Sequence, residues 1–137
     1  MNERELIERL RQGLPTHEST RVGVGDDCAV LDLGVPGRWL LFKTDAVVEG
    51  VHFQRADDAR RVGHKALARC LSDVAAMAGT PTHGLVTLGL PASYEPAWVE
   101  GLYAGLNELA RRHGVGIVGG ETTANPQGVF VSIALLG

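Results

Sequence analysis

The sequence is poor in long apolar runs and in cysteine, and each shortage excludes a class of protein. No stretch approaches the roughly 20 apolar residues of a membrane span, and the charged start MNERELIERLRQ does not read as a secretory signal. The only two cysteines, Cys28 and Cys70, lie far apart and lack metal-ligand spacing. A disulfide scaffold is therefore excluded, and we expect a reduced protein of the cytoplasm.

An excess of positive charge is lacking as well. The formal net charge is −3 over 137 residues, which gives no reason to expect a basic face for nucleic acid. What the chain has in quantity is glycine, with 18 residues. Glycine serves where the backbone takes unusual angles or approaches a ligand closely, so the loops are the places to look for a site.

The spacing of apolar and turn-forming residues predicts a coarse secondary structure. Helices are expected over residues 2–12, from Asp57 or Asp58 to about Met77 or Ala78, and from Pro96 to about His113. Strands are expected at 28–33, 39–43, 84–90, 115–118 and 129–136, with loops at 16–27, after Lys43 and at Gly-Gly-Glu-Thr-Thr. This order predicts an α+β fold with a mixed sheet packed against helices. Because the last strand runs into Gly137, we expect a truncated chain.

The acidic residues form four groups, and all but one are expected where a strand meets a loop. The groups are Asp26–Asp27, Thr44–Asp45, Asp73 and Glu121. Taken singly, a turn-forming aspartate, a polar strand end or an exposed loop acid explains each of the loop groups. Taken together, they are hard oxygen ligands of the kind that suits Mg²⁺.

Asp73 is expected inside the long helix. The spacing of Ala66, Cys70, Asp73 and Met77 places them on one helix face, so the carboxylate points toward the core or a cleft. A carboxylate there needs a metal ion, an ion-pair partner or several hydrogen-bond donors. The helix alone leaves a metal ligand and a structural salt bridge equally open.

Glycine-rich phosphate motifs are absent or incomplete. Gly23 and Gly25 do not continue as G-x-G-x-x-G, and no G-x-x-x-x-G-K-[ST] occurs, which disfavours dinucleotide binding and P-loop chemistry. Gly119-Gly120 can bring backbone amides against a phosphate, although a plain turn explains it as well.

Two groups of basic residues have alternative interpretations. His52, expected in the loop after the second strand, is either a surface residue or a ligand. Arg61, Lys65 and Arg69 recur every four residues on the long helix. Such a stripe is usually a solvated face, and the alternative is that it attracts phosphates.

The strings GVGDDCAVL, TDAVVEGVHF, KALARCLSDVAAMAG and VGGETT resemble, in order and spacing, the thiamine-monophosphate kinase family of the aminoimidazole ribonucleotide synthetase-like superfamily. TD-x-x-VEGVHF and LSD-x-AAM are the specific strings. The resemblance implies ATP-dependent phosphorylation of thiamine monophosphate to thiamine diphosphate. It also implies that residues 1–137 are the N-terminal domain, which binds ATP and Mg²⁺ and forms a homodimer, without the C-terminal domain of the family.

The resemblance implies a role for each matching position. Mg²⁺ ligands would be Asp27, Thr44, Asp45, Asp73 and Glu121, with Asp26 as a further candidate, and several ions would bind. His52 would contact thiamine monophosphate, and Tyr103, Gly120 and Glu121 would contact ATP. No residue is expected to act as acid or base, because the acceptor phosphate is already mostly ionised at neutral pH.

Two residues depart from the family pattern. Lys43 stands where the family usually has Ser or Thr, and an ammonium cannot ligate a cation, so it would contact phosphate or take the place of an ion. Glu121 stands in place of Asp. Both favour an alternative, a non-catalytic dimerisation or nucleotide-binding module, while the VEGVHF loop argues against a related enzyme with another acceptor.

Overall fold

The computed structural model describes residues 1–137, which form three helices and six strands. The helices are α1 (Glu3–Arg11), α2 (Ala59–Ala76) and α3 (Pro96–Arg112). The strands are β1 (Thr20–Val22), β2 (Ala29–Leu31), β3 (Leu40–Val48), β4 (His83–Leu90), β5 (Gly116–Ala124) and β6 (Phe130–Leu136). All three predicted helices are confirmed. None of them is long and apolar enough to cross a membrane.

All six strands form one sheet in the order β1-β2-β3-β6-β4-β5. The β4–β5 pair is parallel and the other neighbours are antiparallel. The last strand in sequence, β6, therefore lies near the centre of the sheet, between β3 and β4. A mixed sheet packed with helices confirms the predicted α+β fold.

The helices α2 and α3 cover one face of the sheet. Along β6 the side chains of Val131, Ile133 and Leu135 are buried in alternation, because strand side chains point to opposite faces in turn. They join a core of 22 buried apolar residues, and no polar or charged residue is buried. On the other face, called here the open face, Phe42 is 48% exposed and Leu85 is 47% exposed.

The two long helices approach each other closely at a pair of glycines. A Cβ on Gly63 would lie 1.9 Å from the Leu102 carbonyl oxygen, and one on Gly105 would lie 1.9 Å from the Arg60 carbonyl oxygen. Only glycine permits this contact between helix backbones. The start of α2 is fixed as predicted, since the Asp58 side chain accepts a hydrogen bond of 3.0 Å from the Arg60 amide.

The strands differ from their predicted bounds in three places. β3 does not end at Lys43 but continues to Val48, because Asp45 and its neighbours pair along β6. Residues 20–22 form a short edge strand where a loop was expected. The predicted Gly-Gly-Glu-Thr-Thr loop is wrong, since these residues belong to β5, where a Cβ on Gly120 would lie 1.8 Å from the Val86 carbonyl oxygen.

The helix α1 is amphipathic, as predicted, but its apolar stripe packs against nothing. Leu6, Ile7 and Leu10 are 46%, 42% and 59% exposed, and no residue of α1 is buried. Asn2 and Glu5 form a complete capping box at its start. The helix is therefore held by local interactions.

Candidate metal and phosphate site

Two ion pairs join the middle of β3 to the second half of α2. Lys43 Nζ lies 2.5 Å from Asp73 Oδ2, and Arg69 Nη2 lies 3.3 Å from Asp45 Oδ1. Lys43 and Asp45 are two residues apart and share one strand face, while Arg69 and Asp73 are one helical turn apart. We call these four residues the charge quartet. The structure thus brings together Asp45 and Asp73, two of the expected metal ligands.

The quartet lies at the edge of the core, on the face of the sheet that the helices cover. On the same side of β3, Leu41 and Val47 are buried, whereas the charged side chains keep partial contact with solvent. The side chains of Lys43 and Asp73 are 20% and 26% exposed. A carboxylate in such a position needs a partner, and in this chain the partner of Asp73 is an ammonium.

The ionisation of the neighbouring groups reflects this pairing. Burial lowers the pKa of Lys43, but the hydrogen bond and charge of Asp73, together with Asp45, outweigh it, so that the pKa is raised. Lys43 is therefore fully charged at neutral pH. Burial raises the pKa of the Cys70 thiol to about 12, so Cys70 is neutral; it packs in the core and donates to the Ile133 carbonyl oxygen.

Asp26 and Asp27 are exposed and lie in the loop before β2. Asp26 Oδ1 accepts a hydrogen bond of 2.8 Å from the Asp27 amide, which fixes the turn. Burial raises the pKa of the following thiol, Cys28; Lys43 lowers it, and Asp73, Asp27 and Asp26 raise it further. Since the charges of Lys43 and Asp73 act on Cys28, the start of β2, directly after the two loop acids, lies near the quartet.

A shallow, open depression at the junction of α2 and β3 is lined by three members of the quartet, but not by Lys43. Its polar lining consists of Asp45, His64, Lys65, Arg69, Ser72 and Asp73. Acidic and basic groups therefore lie on one surface, where carboxylates can hold a metal ion and basic groups can bind a phosphate.

Two members of the basic stripe on α2 take part in this surface. Arg69 pairs with Asp45, and Lys65 Nζ donates a hydrogen bond of 2.5 Å to the His52 carbonyl oxygen. Arg61 is exposed and also belongs to the stripe. The four-residue spacing was the signal for this role, but a solvated face was the more ordinary interpretation.

His52 lies in the turn after β3 and is held from two sides. Its Nδ1 accepts a hydrogen bond of 2.9 Å from the Val48 amide, and its carbonyl oxygen accepts one from Lys65. The hydrogen bond from the Val48 amide fixes the ring. Nδ1 is occupied as its acceptor, and Nε2 is the ring nitrogen left free for another partner. His52 is thus oriented by the backbone and tied to α2 through Lys65.

Thr44 and Glu121 lie on the open face, away from the quartet. Thr44 Oγ1 is 3.4 Å from Ser132 Oγ, and the strand register continues from Ser132 through Thr87 to Glu121. These four residues form a polar row across an otherwise apolar face. Sequence reasoning missed Thr87 and Ser132, whose signal was a polar residue at alternate positions of apolar strands.

The two remaining candidates, Gly120 and Tyr103, lie toward the β5 edge of the sheet, which β6 and β4 separate from β3. Gly120 belongs to β5, which is the edge strand beside β4. Tyr103 belongs to α3, is half-buried against the core, and has a pKa raised by burial. The structure does not bring either of them to the quartet.

No group of three His, Cys, Asp or Glu side chains is arranged to hold a metal ion. Mg²⁺ needs no such group, since it usually takes one or two carboxylates and completes its shell with water and substrate phosphates. Asp26 and Asp27 are exposed and Asp45 is 22% exposed, and carboxylates of this kind can share an ion with a phosphate ligand.

Comparison with known families defines the class of protein. The family model of the AIR synthase related protein N-terminal domain matches residues 25–137, which is most of the chain. The chain belongs to this family.

The curated relatives are more specific. The chain is 34% identical over 138 residues to thiamine-monophosphate kinase of Bacillus subtilis, covering 100% of this chain and 42% of that protein. It is 36% identical over 112 residues to thiamine-monophosphate kinase of Escherichia coli K12, covering 82% of this chain and 34% of that protein. The chain therefore spans less than half the length of these relatives. The resemblance inferred from the motifs is confirmed.

Solved structures agree with this assignment. A structure described as AaThiL complexed with AMPPCP and TMP superimposes with a TM-score of 0.88 at 32% identity, covering 98% of this chain and 41% of that chain. Thiamine monophosphate kinase of Aquifex aeolicus gives 0.84 at 29% identity, covering 100% and 44%. Escherichia coli HypE, with a TM-score of 0.63 at 23% identity and a coverage of 99% and 43%, shares the fold.

Proposed function

We propose that this chain is the N-terminal part of a thiamine-monophosphate kinase, which transfers the γ-phosphoryl group of ATP to the phosphate of thiamine monophosphate. The observation that carries the proposal is the depression along α2 and β3, where Asp45, Arg69 and Lys65 present charges of both signs. The names of the similar relatives support it, as does a similar structure described with AMPPCP and TMP.

The physical problem of this reaction is to bring two polyanions into contact. The acceptor phosphate, with a second pKa of about 6, is already mostly ionised at neutral pH and needs no base. The protein has to neutralise charge and hold the reacting groups in line. Lys65 and Arg69 supply positive charge on α2, and the neighbouring acids supply metal ligands, so no residue is proposed as a general acid or base.

Mg²⁺ is the proposed cofactor, and when bound it would neutralise the phosphate oxygens. We propose Asp27 and Asp45 as its main ligands, with Asp26 beside them. Asp73 is the further acid of the same group, and its carboxylate is already neutralised by Lys43. Thr44 and Glu121 stay proposed ligands, but any ion that they hold on the open face is distinct from an ion at Asp45.

The substrate contacts are proposed from the family pattern. His52 would contact thiamine monophosphate through Nε2, because Nδ1 is taken by the Val48 amide. Gly120 and Glu121 on β5, and Tyr103 on α3, would contact ATP. These three residues lie away from the quartet. ATP would therefore have to reach across the sheet, or a second subunit would have to complete the ATP-binding site.

We also propose that the working protein contains a second domain and is a homodimer. The curated relatives are more than twice as long as the matched part, which supports a further domain. The open face exposes Phe42, Leu85 and Val118, at 48%, 47% and 61%, which supports a second copy as its cover. Two unpaired thiols, Cys28 and Cys70, support the cytoplasm as its compartment.

The test is a kinase assay on the whole protein with ATP, Mg²⁺ and thiamine monophosphate. We expect thiamine diphosphate and ADP in equal amounts, and we expect Asp45→Asn to lower kcat at least about a hundredfold through lost charge stabilisation. Glu100→Gln, on the exposed face of α3, is the matched control and should keep full activity. Binding of ATP without turnover of any acceptor would instead identify a non-catalytic module, and turnover of another phosphate acceptor would identify a related enzyme.

A further inference from the structure

Lys43 and Asp73 make the closest of the seven ion pairs in the chain. Their charged atoms are 2.5 Å apart, whereas the other pairs span 2.9–3.9 Å. Both side chains are mostly buried, with 20% and 26% of their surface exposed. Solvent therefore screens this pair less than a surface pair, and it is expected to persist at moderate salt.

The position of the ammonium matters for any metal ion. A lysine ammonium has three donors and no lone pair, so it cannot ligate a cation. It lies against Oδ2 of Asp73, and its positive charge lowers the affinity of the whole carboxylate for a divalent ion. Asp73 is therefore a poor ligand for a divalent ion as long as Lys43 stays on it.

The second pair of the quartet is looser. Arg69 approaches Asp45 at 3.3 and 3.4 Å, and the arginine side chain is 38% exposed. Both distances are longer than those of a strong charge-assisted hydrogen bond, so Arg69 can leave Asp45 to a metal ion or turn to a phosphate. The two carboxylates are 26% and 22% exposed, so they differ in the distance of the partner cation and not in burial.

We propose that Lys43 is a resident cation that neutralises Asp73 in place of a divalent metal ion, so that the site binds divalent ions through Asp26, Asp27 and Asp45 only. The inference deepens the proposed function and rests on it for the metal dependence of the site. It means that one acid of the phosphate-binding surface, Asp73, is neutralised by the chain itself, independently of the free Mg²⁺ concentration.

The test counts bound Mn²⁺ in the whole protein without nucleotide, from the electron paramagnetic resonance signal of the free ion. Lys43→Thr frees Asp73, and we expect it to bind one further Mn²⁺ ion per chain, or to bind Mn²⁺ about tenfold more tightly. Lys43→Met, which keeps the apolar stem and adds no ligand, should show the same gain. If thermal unfolding shows that Lys43→Thr is not folded, the Mn²⁺ count of Lys43→Met tests the proposal in its place.

Three controls separate this from a general effect of charge. Lys65→Thr removes a lysine from the same depression that is bonded to a carbonyl and not to a carboxylate, and should give no gain. Asp73→Asn alone should leave the Mn²⁺ count unchanged, whereas in Lys43→Thr it should abolish the gain. An unchanged count in both Lys43 variants, an equal gain in Lys65→Thr, or loss of Mn²⁺ in Asp73→Asn alone would overturn the proposal.

The outcome is independent of the kinase assay. If the whole protein fails to phosphorylate thiamine monophosphate, the proposed function fails, but the Mn²⁺ count still decides the role of Lys43. If the kinase is active and the count does not change, the proposed function stands and the role of Lys43 is overturned.

Discussion

Leu85 and Leu88 lie three residues apart on β4 and point to opposite faces of the sheet. Leu88 is 3% exposed beneath the helices, whereas Leu85 is 47% exposed on the open face. The helix-covered face has an apolar core with the charge quartet at its edge, and the open face has exposed apolar side chains divided by a polar row. The same strands therefore stabilise the chain on one side and leave a surface to be covered on the other.

The largest expected difference between the faces is in stability. Leu88→Ala should lower the free energy of unfolding by about 2–5 kcal/mol, because it leaves a cavity among buried side chains. Leu85→Ala should cost less than about 1 kcal/mol in the monomer, since the side chain is half in solvent already. Denaturant unfolding at low protein concentration measures both changes. Equal losses would show that Leu85 is as buried as Leu88 in the monomer.

The next effect concerns association. Leu85→Glu should weaken a homodimer by tenfold or more, about 1–2 kcal/mol, because it buries a charge at the proposed interface. Sedimentation velocity over a range of concentrations measures the dissociation constant. The matched control is Leu14→Glu, at a leucine that is 48% exposed outside the sheet. A dimer that survives the first change, or dissociates with both, would exclude the open face as the interface.

A smaller effect is expected where the chain passes from the sheet to the helix layer. Glu49 Oε2 accepts hydrogen bonds of 2.7 Å from the Val129 amide and 2.9 Å from Arg55. These bonds hold the Glu49 pKa below its ordinary value, and the bond from the Val129 amide has the largest effect. Glu49→Gln should cost about 1 kcal/mol at pH 7, the usual worth of such a bond.

The pH dependence of that cost has a definite sign. A carboxylate with a lowered folded pKa contributes stability that is fully present above its unfolded pKa, about 4.3, and is lost as the pH falls through the folded value. The difference between wild type and Glu49→Gln should therefore shrink below about pH 4. A difference that is constant from pH 7 to pH 3, in urea unfolding, would show that Glu49 acts by packing and not by charge.

The smallest effect is expected within the polar row of the open face. Ser132→Ala removes a contact of 3.4 Å with Thr44, which is too long to contribute much, and should change stability by less than about 0.5 kcal/mol. Thermal unfolding measures it, with Ala134→Ser on the same strand face as the reverse change. A loss above 1 kcal/mol would mean that the row is bonded more tightly than its geometry indicates.

The elements with local signals could be predicted from the sequence. Asp58 and Pro96 mark the starts of α2 and α3 by capping and ring geometry, which depend only on neighbouring residues. The bounds of β3 and β5 could not be predicted, because they depend on partner strands distant in sequence. Thr44 and Asp45 look like a polar turn until β6 pairs with them.

The candidate site shows the same division. The spacing of Cys70 and Asp73 correctly predicted a carboxylate facing the edge of the core. Its partner could not be predicted, since Lys43 is 30 positions away on a strand whose facing direction depends on the sheet. Sequence motifs also grouped Glu121 with Asp45, while the strand register assigns them to opposite faces.

The central position of β6 has a consequence for how the chain acquires its structure. The strands β1 to β3 and the pair β4–β5 meet within the sheet only through β6, which follows all of them in sequence. The two earlier groups of strands cannot join into one sheet until β6 has emerged from the ribosome. Closing the sheet then requires contacts between residues far apart in sequence, which slows folding. A nascent chain that stalls before Phe130 is therefore a substrate for chaperones and a risk for aggregation.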